Sequence, residues 1–199
     1  MMKQFRDEYM HLQKLKHANI LPLLATCDGQ QAALITEYCE RGSLDKVLAK
    51  QRLADERKWQ LLLQLACALQ FLHAGNSPPV VHRDVKSANV LVTQAWLAKL
   101  ADFGLARLQL HPDGVITDNN GTGTVAFKAP EQFLEGEQEE GTGRIVRVDV
   151  QADVYGFAGV ALHVLTGRSP FSDCQIARIT RDVVIAKKPP PELTMLQNS

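Results

Sequence analysis

Three polar side chains lie close together near the middle of this chain, and a fourth follows. Asp84, Lys86 and Asn89 put a carboxylate, an ammonium and a carboxamide at offsets 0, +2 and +5 between two apolar runs. Asp102 comes eighteen residues after Asp84. A carboxylate can orient a hydroxyl and accept its proton, and carboxylate and amide oxygens suit a hard cation such as magnesium. Because an aspartate in a turn is most often a cap, Asp84 alone would not support this chemistry.

Three short motifs give these residues a context. The first is His82-Arg83-Asp84, the second is Asp102-Phe103-Gly104 and the third is Ala129-Pro130-Glu131. In this order they resemble the HRDxxxxN, DFG and APE signatures of eukaryotic protein kinases. Each motif alone is weak because it is short. Three in order, between two long apolar helical patterns, are poorly explained by coincidence.

The resemblance implies a role for each polar residue. Phosphoryl transfer depends on positioning and charge neutralisation more than on covalent chemistry. Asp84 would orient the substrate hydroxyl and accept its proton, and Lys86 would neutralise charge on the transferred phosphoryl group. Asn89 and Asp102 would hold Mg²⁺, and ATP would donate the phosphate. The implied partner is a protein substrate.

The resemblance also implies a nucleotide site. Residues 34–39 look like the fifth kinase strand, a gatekeeper at Thr36 and the hinge that receives adenine. Glu8 matches the glutamate of the C-helix, which pairs with a lysine on the third strand. The implied cofactor-binding residues are Thr36, Glu37, Cys39, Ser43, Asn89, Leu91 and Glu8.

Further matches concern residues that hold the catalytic loop in place and residues that indicate which hydroxyl is phosphorylated. Asp153 matches the aspartate that anchors the catalytic loop, and Thr124 matches a threonine that contacts the catalytic aspartate. Arg83 stands where an arginine can pair with a phosphorylated loop. Lys86 favours a Ser/Thr kinase. Ser87-Ala88-Asn89 and the hinge Thr36-Glu37-Tyr38 resemble the tyrosine-kinase-like group, which is mostly specific for Ser and Thr. Leu12, Leu23, His82 and Phe103 would form a stacked apolar spine.

Hydrophobic periodicity predicts the elements that carry these residues. Helical spacing predicts helices over 3–16, 58–74 and 151–166, of which the second is apolar nearly all round and should be buried. Ser43 is expected to cap a short helix that runs to about Gln51. Alternating or apolar runs predict strands over 20–25, 32–37, 80–81, 90–92 and 98–101. Residues 102–131 read as a long loop, and 135–140 as an acidic, solvated bulge.

The fold class implied is α+β, with the protein-kinase fold. We expect a mostly helical C-lobe over 39–199, incomplete at its C-terminal end. Residues 1–38 would be a remnant of the N-lobe, made of the C-helix, a two-stranded hairpin and the start of the hinge.

Composition excludes several other classes of protein. The 22 basic and 22 acidic side chains balance, which gives no electrostatic reason to expect a nucleic-acid partner. The sequence shows no signal peptide and no apolar run long enough to span a membrane, so a cytoplasmic location is expected. The four cysteines form no CxxC pair, so a zinc site is not expected.

Two functions stay open because neither a Gly-rich loop nor a strand-3 lysine precedes Glu8. The first is a protein serine/threonine kinase whose isolated chain binds ATP weakly and transfers phosphate slowly or not at all. The second is a truncated, catalytically impaired kinase-like module that binds a partner or regulates a complete kinase. An open hairpin edge would allow association through the exposed N-lobe surface.

Overall fold

The computed structural model describes residues 15–27, 33–103, 107–108, 122–136 and 148–197. Within these ranges the chain mixes helices with small antiparallel sheets. Almost all of the predicted helix over 3–16, with Glu8 and Leu12, lies outside the described residues.

The strands are short and the two main helices are long. The strands are β1 (Leu23–Cys27), β2 (Ala33–Thr36), β3 (Gly42–Ser43), β4 (Val80–Val81), β5 (Val90–Val92), β6 (Ala98–Leu100) and β7 (Arg107–Leu108). The α-helices are α1 (Leu44–Lys50), α2 (Asp55–Ala74), α3 (Thr122–Val125), α4 (Pro130–Phe133), α5 (Val150–Thr166), α6 (Ile176–Thr180) and α7 (Thr194–Gln197). A 3-10 turn covers Ser87–Asn89, a π-turn covers Arg181–Ile185, and a second 3-10 turn covers Pro191–Leu193.

The central sheet has the strand order β3-β5-β6, with both pairs antiparallel. The free side of β6 is also hydrogen-bonded, because the Leu21 amide donates to the Leu100 carbonyl and the Leu100 amide donates to the Asn19 carbonyl, both at 2.8 Å. Strand β6 is therefore held from both edges. Separate two-stranded sheets are formed by β1 with β2 and by β4 with β7.

The core lies between α2, α5 and the central sheet. Helix α2 contributes a row of buried leucines, which are Leu61, Leu62, Leu65, Leu69 and Leu72. The prediction that this helix is buried all round is wrong, since Trp59 and Leu63 are 61% and 67% exposed. These two residues are four apart and share one face, which points away from the core.

Most of the predicted elements are confirmed within one to three residues at each end. Two further expectations are wrong. Ser43 precedes α1 as expected, but its side chain makes no capping hydrogen bond. The predicted loop over 102–131 contains β7, which pairs with β4, and the short helix α3, and it ends in the first residues of α4.

Candidate functional site

A buried carboxylate shapes the loop after β4. The side chain of Asp153, on α5, is fully buried and accepts hydrogen bonds from the backbone N–H groups of His82 at 2.8 Å and Arg83 at 2.7 Å. His73 Nε2 lies 2.8 Å from the same carboxylate. Arg83 has a φ of 70°, which few side chains adopt without support. The expectation that Asp153 anchors this loop is confirmed.

The structure brings Asp84, Lys86 and Asn89 into one hydrogen-bonded cluster. Asp84 Oδ2 accepts from Lys86 Nζ at 2.6 Å and from Asn89 Nδ2 at 2.8 Å. Lys86 Nζ also donates to Thr124 Oγ1 at 2.9 Å. Thr124 was expected to contact the aspartate itself, but its hydroxyl instead accepts from Lys86, which donates to Asp84. Burial lowers the pKa of Lys128, and the charge of Asp84 partly opposes this shift. The Lys128 ammonium is thus a second positive charge that interacts with Asp84.

Asp102 follows strand β6 directly and is exposed, with a φ of 63°. The Ala101 amide donates to the Asn89 carbonyl at 2.8 Å, which ties the residue before Asp102 to the loop that carries Asp84. Burial lowers the pKa of His82, and the charges of Asp153, Asp84 and Asp102 oppose this shift. Both aspartates of the predicted site therefore lie within electrostatic range of one imidazole.

His82 is fully buried in the loop that carries Asp84. Its Nε2 lies 3.0 Å from the Ala101 carbonyl oxygen, and its ring centroid lies 4.7 Å from that of Phe103. This contact confirms the His82–Phe103 part of the predicted spine. Leu12 lies outside the described residues, and the place of Leu23 in the spine stays a prediction.

The predicted nucleotide residues within the described ranges lie on or just beside strands β2, β3 and β5. Thr36 is exposed at the end of β2, and Cys39 is buried, which raises the pKa of its thiol. Ser43 on β3 stands opposite Leu91 on β5. Glu37 pairs with Lys99 of β6 at 3.0 Å. Sequence reasoning missed Lys99, although the strand pattern around it could have shown which face it occupies.

Arg83 forms an ion pair with Glu135, and its side chain is only 6% exposed. Gln132 Nε2 donates to the Arg83 carbonyl at 2.7 Å, so the segment after Pro130 packs against the loop at two points. Glu135 is exposed, as expected of the predicted acidic bulge, but its carboxylate also neutralises a buried guanidinium, and residues 137–140 of that bulge lie outside the described residues.

The donor atoms around Asp84 suit a hard cation. The Asn89 amide nitrogen donates to both the carbonyl and the carboxylate of Asp84, so the amide oxygen points to the other side. That oxygen and the Asp102 carboxylate are of the type that Mg²⁺ prefers. Among the described residues, no group of three or more His, Cys, Asp or Glu side chains is placed to hold a metal. A cation bound here would complete its shell with water or phosphate oxygens.

A family model described as protein tyrosine and serine/threonine kinase matches residues 1–197. The chain belongs to the protein kinase family.

Named relatives are similar to most of this chain. A protein of Arabidopsis thaliana, named as an L-type lectin-domain containing receptor kinase, is 34% identical over 85% of this chain and 24% of its own length. A leucine-rich repeat receptor-like serine/threonine-protein kinase from the same plant is 35% identical over 83% of this chain and 18% of its own length. A protein of Acanthamoeba polyphaga mimivirus, named as a serine/threonine-protein kinase/receptor, is 33% identical over 94% of this chain and 11% of its own length. The chain thus spans a quarter or less of each of these relatives. No helix in the described ranges is long and apolar enough to cross a membrane.

Proposed function

We propose that this chain is the catalytic region of a protein serine/threonine kinase, which transfers the γ-phosphate of ATP to a Ser or Thr hydroxyl of a protein. The cluster of Asp84, Lys86, Asn89 and Thr124 carries this proposal. Specificity for Ser and Thr is supported by the Lys86–Thr124 hydrogen bond and by the names of two of the relatives, which are serine/threonine-protein kinases.

The geometry of the cluster suggests how Asp84 acts. Lys86 and Asn89 both donate to Asp84 Oδ2, so Oδ1 is the oxygen that can receive the substrate hydroxyl. Asp84 would then orient that hydroxyl towards the γ-phosphate and accept its proton as the new P–O bond forms, while the bond from Pγ to the β–γ bridging oxygen breaks and ADP leaves. Lys86 places a positive charge where the phosphoryl group passes, which stabilises the charge on its oxygens.

Nucleotide and metal would bind on the opposite side of Asn89. The Asn89 amide oxygen and Asp102 would hold Mg²⁺, which neutralises charge on the phosphates when bound. Adenine would lie between the hinge, residues 37–39, and Leu91. In this arrangement residues 1–38 belong to a small lobe and 39–199 to a large lobe, with the nucleotide between them.

A phosphotransfer assay on the 199-residue chain tests the proposal. Radiolabelled ATP with Mg²⁺ and a protein rich in Ser, Thr and Tyr is expected to give slow labelling of Ser and Thr. Asp84→Asn is expected to reduce the rate by about 10²- to 10⁴-fold, since it removes the general base. Asp173→Asn is the matched control, because this aspartate is 79% exposed and lies outside the cluster. Equal labelling by wild type and Asp84→Asn, or labelling on Tyr alone, would contradict the proposal.

A second candidate is a kinase-like module that binds a partner without catalysis. It is favoured by the exposed apolar side chains of the hairpin, which include Leu24, Leu34 and Ile35. A pull-down that retains a kinase through this hairpin, and loses it in Leu24→Ser/Ile35→Ser, would support the module if phosphotransfer also failed.

A further inference from the structure

A buried lysine lies where three segments near the proposed nucleotide site meet. Lys99 Nζ is 3.0 Å from Glu37 Oε2, and the two side chains are 11% and 35% exposed. The same ammonium donates to the Ala18 carbonyl at 3.3 Å. One cation thus links strand β6 to the segment after β2 and to the segment before β1.

The register of the central sheet fixes the face on which Lys99 lies. The neighbours of Leu91 and Lys99 in their own strands are buried in the core. They are Val90, Val92, Ala98 and Leu100. Because successive side chains of a strand point to opposite faces, Leu91 and Lys99 point away from that core. Leu91 opposes Lys99 and also opposes Ser43, so these three side chains form one row across the sheet.

The chain on each side of the hinge is bonded to a strand of the central sheet. Downstream of the hinge, the Arg41 amide donates to the Val92 carbonyl at 3.1 Å, which holds the chain to β5. Upstream, the Glu37 carboxylate is held to β6 by Lys99. Lys99 lies only three residues before Asp102. The ion pair therefore sets the spacing between the start of the hinge and the strand that leads to Asp102.

We propose that Lys99 is a positioning residue for nucleotide binding. Its ion pair with Glu37 fixes the hinge relative to Leu91 and Asp102, so that the base and the metal-bound phosphates are held together. This inference rests on the proposed function. An ion pair that only stabilised the fold could be exchanged for two apolar side chains with little effect on ligand affinity. A positioning pair cannot be exchanged in this way without loss of affinity, because two apolar side chains do not reproduce the length and direction of the salt bridge.

Titration calorimetry with Mg·ADP on the full chain tests the inference without requiring catalysis. Lys99→Met and Glu37→Gln are each expected to weaken Mg·ADP binding by about tenfold. The charge swap Lys99→Glu/Glu37→Lys is expected to recover at least part of that loss. Lys99→Met/Glu37→Met should melt close to wild type and still bind weakly. Lys46→Met, at an exposed position on α1, is the matched control and should bind like wild type.

The outcomes separate this inference from the proposed function. If wild type binds Mg·ADP and the Lys99 and Glu37 variants bind it equally well, the positioning role is wrong and the kinase proposal stands. If wild type binds no Mg·ADP at millimolar concentration, both the positioning role and the kinase proposal are wrong. If Lys99→Met does not fold, Glu37→Gln decides the matter, because its carboxylate is partly exposed and the amide keeps its size.

Discussion

At the scale of single residues, one carboxylate determines the course of the loop that carries Asp84. Asp153 accepts from two successive backbone N–H groups and from His73, all at 2.8 Å or less. The second of these amides belongs to Arg83, whose left-handed backbone costs about 1–3 kcal/mol. The hydrogen bonds to Asp153 offset this strain and leave Asp84 facing Lys86 and Asn89.

Asp153→Ala is expected to lower the free energy of unfolding by about 3 kcal/mol, because two buried backbone donors lose their acceptor. Urea denaturation followed by circular dichroism measures the change. Asp173→Ala removes an exposed carboxylate and should change stability by less than about 0.5 kcal/mol. A similar loss in the two variants would show that Asp153 does not anchor the loop.

The site residues that could be predicted are those whose spacing along the chain is itself the signal. Asp84 and Asn89 are five apart, and their hydrogen bond follows from a local turn. Glu135 reaches Arg83 across 52 positions of sequence, so no local pattern shows this contact. Lys99 was missed for the same reason, since its partner Glu37 lies just after β2, far from Lys99 along the chain. Only the folded chain brings such residues together.

At the scale of elements, helix α5 carries two glycines where alanine would be a better helix former. A Cβ on Gly156 would lie 2.6 Å from the Val85 carbonyl oxygen and 2.9 Å from the Val85 Cβ. A Cβ on Gly159 would meet the ring of Phe127 at 2.8 Å. The absence of a side chain at Gly156 therefore lets α5 approach the backbone of the loop beside Asp84.

Gly156→Ala is expected to destabilise the protein by about 1–3 kcal/mol, although alanine favours a helix by about 1 kcal/mol over glycine. The Val85 carbonyl must shift, and phosphotransfer should fall with it. The measurements are urea denaturation and the labelling rate. Ala158→Gly, on the exposed side of α5, should cost about 1 kcal/mol and leave the rate unchanged. Unchanged stability and rate in Gly156→Ala would refute the close approach.

Periodicity predicted the long elements because their apolar spacing repeats over several turns. The helix expected over 58–74 spans Asp55–Ala74, and the one expected over 151–166 spans Val150–Thr166. Strand β7 was not predicted, since Arg107-Leu108 is not an apolar pair like Val80-Val81, and its pairing with β4 is a long-range contact. The exposed face of α2 was also missed, because an apolar sequence does not show which of its sides has a neighbour.

At the scale of the whole molecule, the buried His82 and the partly buried His163 couple stability to pH. Burial lowers the pKa of both His82 and His163 below the ordinary 6.5. His163 faces Ser87 at 2.9 Å and is influenced by Asp45, while His82 is influenced by Asp153, Asp84 and Asp102. These carboxylates oppose the shifts without reversing them. Both imidazoles therefore stay neutral in the folded protein at a pH where the unfolded chain is protonated.

Stability should consequently fall as the pH drops below about 6.5, since the unfolded state then binds protons that the folded state does not. Each histidine can add a slope of up to about 1.4 kcal/mol per pH unit. Urea denaturation at pH 7.5, 6.5 and 5.5 measures this slope, above the range where carboxylates titrate. His163→Gln is expected to reduce it. A flat profile over this range, or an unchanged slope in His163→Gln, would show that these histidines do not control it.

Strand β6 has partners along both of its edges, and the amides of Leu100 and Ala101 are both engaged. Such protons exchange with solvent only when a large cooperative unit opens, whereas a two-stranded ribbon such as β1–β2 exposes its amides by local fraying. In hydrogen–deuterium exchange, the amide protons of β6 and Ala101, just before Asp102, should therefore exchange more slowly than those of the β1–β2 ribbon. The exposed Asp102 would thus directly follow a segment that rarely opens.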